Sequence, residues 1–119
     1  MNRARILVVA VVLVLFATAG GVLIYETGHH GGQNVTFNLT VTGAKSMTPS
    51  AISAHVNDTI TINITSDTDG EVHLHVYDIP FDTKAGQLVS HTFKADKTCG
   101  CDMEWESTST PLGSLTVSP

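Results

Sequence analysis

Histidines, cysteines and a methionine fall at alternate positions in two short stretches of this chain, and alternation places side chains on one face of an extended strand. His73 and His75 lie in "EVHLHVYD", residues 71–78, and Cys99, Cys101 and Met103 lie in "CGCDM", residues 99–103. Imidazole suits copper, while thiolate and thioether ligands select Cu(I). If the fold joins the two stretches, His73, His75, Cys99, Cys101 and Met103 make a metal-binding set for copper. Each half also has a plainer explanation. The histidines suit the solvent side of a sheet, and a Cys-Met-Trp alternation suits an inward strand face, with Cys acting as a small hydrophobe. Alternation puts Val72, Leu74 and Val76 opposite the histidines, toward a core. The two cysteines either close a tight disulfide in an oxidising compartment or stay apart.

Other chemistry is thin. The chain has no Gly-rich phosphate loop, no Gly-x-Ser-x-Gly and no His-Glu-x-x-His. Its carboxylates are spread over turns and strand exteriors, as solvated surface groups are. His55 and His91 are single histidines in strand-like segments and read as surface or satisfied side chains. With two cysteines, no disulfide framework spans the fold, so an apolar core must hold it. The expectation is a binding domain, not an enzyme.

The elements that position these residues follow an N-terminal segment of another kind. Arg3 and Arg5 precede "ILVVAVVLVLFATAGGVLIY", residues 6–25, twenty residues without a charge. A membrane helix needs roughly 20 apolar residues, and basic residues before the run put the N-terminus inside and the body outside the cytoplasm. Ala17-Thr18-Ala19 is also a small-x-small triplet, so cleavage of a signal near Ala19 is the competing reading. Against cleavage, Val22-Leu23-Ile24 prolong the apolar run. Either way the domain is exported, as a single-pass membrane protein or a secreted one, and a periplasmic setting suits it.

Residues 1–25 therefore read as an anchor or signal, and 26–33, "ETGHHGGQ", as a flexible tether in which His29 and His30 need no metal. From Glu26 onward four lysines face eleven acids, a net charge of −7. Such a surface repels phosphate backbones, so nucleic acid is excluded as a partner.

Residues 34–119 carry the period of two. "NVTFNLTVT" and "DTITINITS" alternate apolar residues with Asn and Thr, and "AISAHV", "EVHLHVYD", "VSHTF", "CDMEWE" and "SLTVS" follow as further short strands between turns. Phe37, Leu39, Ile60, Ile62, Trp105, Leu115 and Val117 are the expected core. Asn34, Asn38, Asn57 and Asn63 open Asn-x-Thr triplets, which read more simply as the wet face of strands than as glycosylation sites. The fold class is all-β, an antiparallel or mixed β-sandwich of seven to eight strands.

Taken together, "VTGAKSMTPSAISAHVNDTITINITSD", "EVHLHVYD", "HTFKAD" and the closing "PLGSLTVSP" resemble the cupredoxins, the β-sandwiches of blue copper proteins, over about residues 34–119. The resemblance implies copper as cofactor, and it places His73 at the first copper-binding histidine, with Tyr77 and Asp78 following it. It also implies a Cys, a His and a Met in the loop before the last strand. Here that loop is "ESTSTPLG", which contains none of them. Two functions stay open: a copper-binding module for electron transfer or copper handling through a non-standard His/Cys/Met site, or a metal-free domain that contacts an exported partner or redox protein.

Overall fold

The computed structural model describes residues 32–119, whose alternating residues form two stacked sheets. The strands are β1 (Asn34–Thr42), β2 (Ser46–Thr48), β3 (Ala51–His55), β4 (Thr59–Ser66), β5 (Gly70–Leu74), β6 (Ile79–Thr83), β7 (Leu88–Lys94), β8 (Cys99–Trp105) and β9 (Thr110–Ser118). One sheet has the order β2-β1-β4-β7 and the other β3-β9-β8-β5-β6. Both are mixed: β1 runs parallel to β4 and β3 parallel to β9, while the other pairs are antiparallel.

The core forms where the apolar positions of the two sheets meet. Leu39, Val41, Ile60, Ile62 and Ile64 come from the first sheet, and Val72, Leu74, Phe81, Met103, Trp105, Leu115 and Val117 from the second. Phe37 packs against this core but stays partly exposed, because it lies toward the rim. Trp105 reaches its buried position because residue 70 is glycine: a Cβ there would overlap the indole ring. Asp58 is buried between β3 and β4, where its carboxylate accepts backbone N–H groups from Gln33 and His55, each at 2.9 Å.

Two sequence expectations change, and one open alternative is decided. Among the described residues there are nine strands, because β2 is cut from a stretch that reads as a turn and β6 begins at Ile79-Pro80, which also reads as one. Val76 is not in the core: β5 ends at Leu74, and Val76 sits 53% exposed in the following turn with φ of 74°. The cysteines are joined as a disulfide. The expected membrane segment, residues 6–25, and His29 and His30 lie outside the described residues.

Candidate metal centre

His73 lies on the outer face of the five-stranded sheet, opposite Glu104 of β8, while its neighbours Val72 and Leu74 fill the core. Alternation thus decides which way β5 faces. β6 and β8 flank β5, and no strand from the other sheet covers this side. Glu71 follows the same alternation on β5, and Glu106 continues it beyond β8, its amide donating to the Glu71 carbonyl at 2.9 Å. A β-bulge sets the position of this end of β8: Met103 pairs with Gly113 but Glu104 pairs with Pro111. Bulges of this kind re-aim side chains.

The turn between β5 and β6 supplies the rest. Positive φ at the β-branched Val76 and at Asp78 folds residues 75–78 back over the sheet, and a β-branched residue there marks a strained, over-determined turn. Tyr77 anchors it, donating its hydroxyl to the Lys97 carbonyl at 2.6 Å and packing on Phe93. Asp78 is thereby returned to His73. The His73 ring is bracketed, with Nε2 2.8 Å from Asp78 Oδ1 and Nδ1 3.1 Å from Glu106 Oε1. Carboxylate oxygens accept hydrogen bonds, so this bracket favours the ring with both nitrogens protonated. Partial burial opposes that charge, but the hydrogen bonds and charges of Asp78 and Glu106 outweigh it and hold the ring above the ordinary histidine value.

His75 stacks on His73, ring centroids 4.6 Å apart. Its Nε2 is 3.3 Å from Glu104 Oε2, within ion-pair range. The same nitrogen is closed off from solvent and off the line that a hydrogen bond requires, so it is left without a hydrogen-bond partner. Glu71, His73 and Glu106 each offer a ligand atom, all within 4.8 Å of one another. Metal–ligand bonds of about 2.0–2.2 Å span roughly 4 Å across an ion, so small movements close this trio around one. Asp82 and Asp102 are also exposed on this side of the sheet, and β5, β6 and β8 contribute no lysine or arginine. That field favours a cation.

The sulfur residues are elsewhere. Cys101, Met103 and Trp105 face the core, on the side of β8 opposite Glu104, and Cys99 shares the Cys101 face through their disulfide. The fold brings the strands of His73 and Met103 side by side but points the two donor sets in opposite directions. His73, His75, Cys99, Cys101 and Met103 therefore do not converge on one ion. A blue copper centre does not fit these residues: the β8–β9 turn lacks Cys, His and Met, and the two thiols are spent on each other. His55 is exposed at the end of β3, and His91 packs edge-on against Phe81 at 4.9 Å. The sequence reading missed Glu71 and Glu106. The signal was Glu71-x-His73-x-His75 beside Glu104-x-Glu106, two alternations of the same period on strands that turn out to be neighbours.

No protein-family model and no curated protein sequence matches the chain. Solved structures do. The solution structure of a copper-binding protein in its apo form superposes with a TM-score of 0.61 at 11% identity, covering 76% of this chain and 99% of that one. The laccase from Botrytis aclada gives 0.60 at 16% identity, over 76% of this chain and 23% of its own. A chain of a heme–copper terminal oxidase dimer gives 0.61 at 15% identity, over 98% and 99%. At these identities the likeness concerns architecture, and with the sheet order and the core described above it shows that residues 32–119 form a cupredoxin-like domain.

Proposed function

We propose that this is a copper-handling cupredoxin-like domain, held outside the cytoplasm by residues 6–25, that takes Cu(II) on the outer face of its five-stranded sheet. The convergence of Glu71, His73 and Glu106 carries the reading. One imidazole with carboxylates is a nitrogen–oxygen set suited to Cu(II), and the copper-binding protein and laccase of like fold support copper as the metal. A bound ion would supply a redox-active or stored cation. One ring nitrogen of His73 would serve as the ligand, and the other would keep its hydrogen bond to a carboxylate, which would fix the ring as outer partners of metal-bound histidines do. His75, with Nε2 unpartnered, stands beside it as a further imidazole. The reading is of a binding protein, not an enzyme, that serves a redox or exported partner.

A second reading rests on two observations. Asp78 and Glu106 already pair with both ring nitrogens of His73 without a metal. The chain of a heme–copper terminal oxidase dimer aligns with this one nearly end to end. Both favour a metal-free domain within a membrane complex.

Titration of the oxidised chain with Cu(II), followed by calorimetry and electron paramagnetic resonance, separates the two. The copper reading expects one ion with nitrogen and oxygen ligands and no intense blue colour. His73→Ala weakens binding more than tenfold, about 1.4 kcal/mol or more, and more than His75→Ala does. Glu71→Gln and Glu106→Gln each weaken it too. Equal, weak binding in all five proteins selects the metal-free reading.

A further inference from the structure

The Cys99–Cys101 disulfide joins two residues of one strand with only Gly100 between them, their Cα atoms 5.3 Å apart. We propose that it is a reversible lock on a second copper site, in which the two thiolates freed by reduction bind Cu(I). The choice of metal rests on the copper reading above, but none of the outer-face ligands takes part.

The cross-link contributes little to holding the fold. Disulfide stabilisation grows with the loop closed, and this loop is among the shortest possible. Its two residues are already fixed by β9, Cys99 opposite Val117 and Cys101 opposite Leu115. The bond ties together no two elements. What it does control is the availability of sulfur. Met103 is the next residue on the same face, so Cys99, Cys101 and Met103 line one side of β8 as three soft donors. Two thiolates and a thioether select Cu(I), and while the disulfide stands neither thiolate exists.

The lock is reachable from one end. Pairing with β5 stops at Leu74–Met103, followed by a single bond from the His75 amide to the Asp102 carbonyl, so residues 99–101 have no strand beside them on that edge among the described residues. Cys99 is partly exposed and Cys101 fully buried. An external thiolate therefore meets Cys99 first and forms a mixed disulfide with it, and Cys101 departs as the sheltered sulfur. Overall, an exported dithiol gives two electrons and two protons, becoming a disulfide, and Cys99 and Cys101 become thiols. Cu(I) then displaces the two thiol protons and is held by two sulfurs.

The test uses the full chain without oxygen, prepared oxidised and reduced, with thiols counted by alkylation under native conditions and folding followed by the near-ultraviolet circular dichroism of Trp105. Each form competes with bathocuproine disulfonate for Cu(I). The reduced chain is expected to withdraw one Cu(I) at least a hundredfold more strongly than the oxidised chain. Cys99→Ser and Cys101→Ser each abolish the difference, Met103→Leu diminishes it, and His73→Ala leaves it intact. Equal competition by both forms, or thiols that appear only once the fold is lost, overturns the proposal. A Cu(II) titration that is indifferent to His73→Ala while Cu(I) uptake stays gated by reduction would remove the outer-face reading and leave this one standing.

Discussion

His73 is the residue on which charge, geometry and metal binding meet. Its two ring nitrogens pair with two carboxylates, and these raise its proton affinity despite partial burial. In the metal-free chain, the His73 ring protons followed by NMR against pH should show a midpoint above the ordinary 6.5. Asp78→Asn and Glu106→Gln should each lower that midpoint, and a wild-type value at or below 6.5 would dissolve the bracket. The sign for stability follows from linkage. A group whose folded value is raised adds stability below the unfolded value near 6.5, and that contribution is lost as pH rises through the folded value. The wild type should therefore lose more melting temperature between pH 6 and pH 9 than the Asp78→Asn/Glu106→Gln double variant does. The sequence made the histidine pair legible, because period two needs only neighbours along the chain. It did not reveal the carboxylates as a group, because Glu71 and Glu106 meet only through the pairing of β5 with β8.

Among the elements, strands announced themselves where alternation runs long and were lost where it is short or broken. β1 and β4 carry eight or nine residues each and leave no doubt about period. β2 has three residues, too few to show one. β6 was hidden by Pro80, which lacks a ladder donor; it is tolerated because β6 forms the edge of its sheet. The parallel pairings β1–β4 and β3–β9 join segments far apart in sequence, which no local pattern encodes. Two substitutions test the packing that results. Ile62 is fully buried on β4, so Ile62→Ala should destabilise the domain by about 2–5 kcal/mol in denaturant unfolding. Gly70→Ala pushes a methyl group into Trp105, which should remove about 1–3 kcal/mol and alter tryptophan fluorescence in the native state. An unchanged spectrum and midpoint would mean that the indole does not lie against residue 70.

For the molecule as a whole, both sheets and the core between them are built from the described residues 32–119. Among the described residues, the first backbone groups tied into them belong to Gln33, whose amide donates to Asp58 and whose carbonyl accepts from the Thr59 amide. Every strand among the described residues lies beyond Gln33. The proposed anchor at residues 6–25 and the folded body are expected to be separable parts, and their roles are testable independently. The full chain should stay with the membrane fraction through an alkaline wash, because twenty apolar residues are enough to span a bilayer. A chain starting at residue 26 should be released, with its melting temperature and Cu(II) affinity unchanged, since Glu71, His73 and Glu106 are held only by β5, β8 and the turns around them. Recovery of a soluble protein beginning at Gly20 would replace the anchor with a cleaved signal. Loss of folding on removal of residues 1–25 would instead show that the N-terminal segment is part of the domain, against the hydrogen-bond pattern at Gln33.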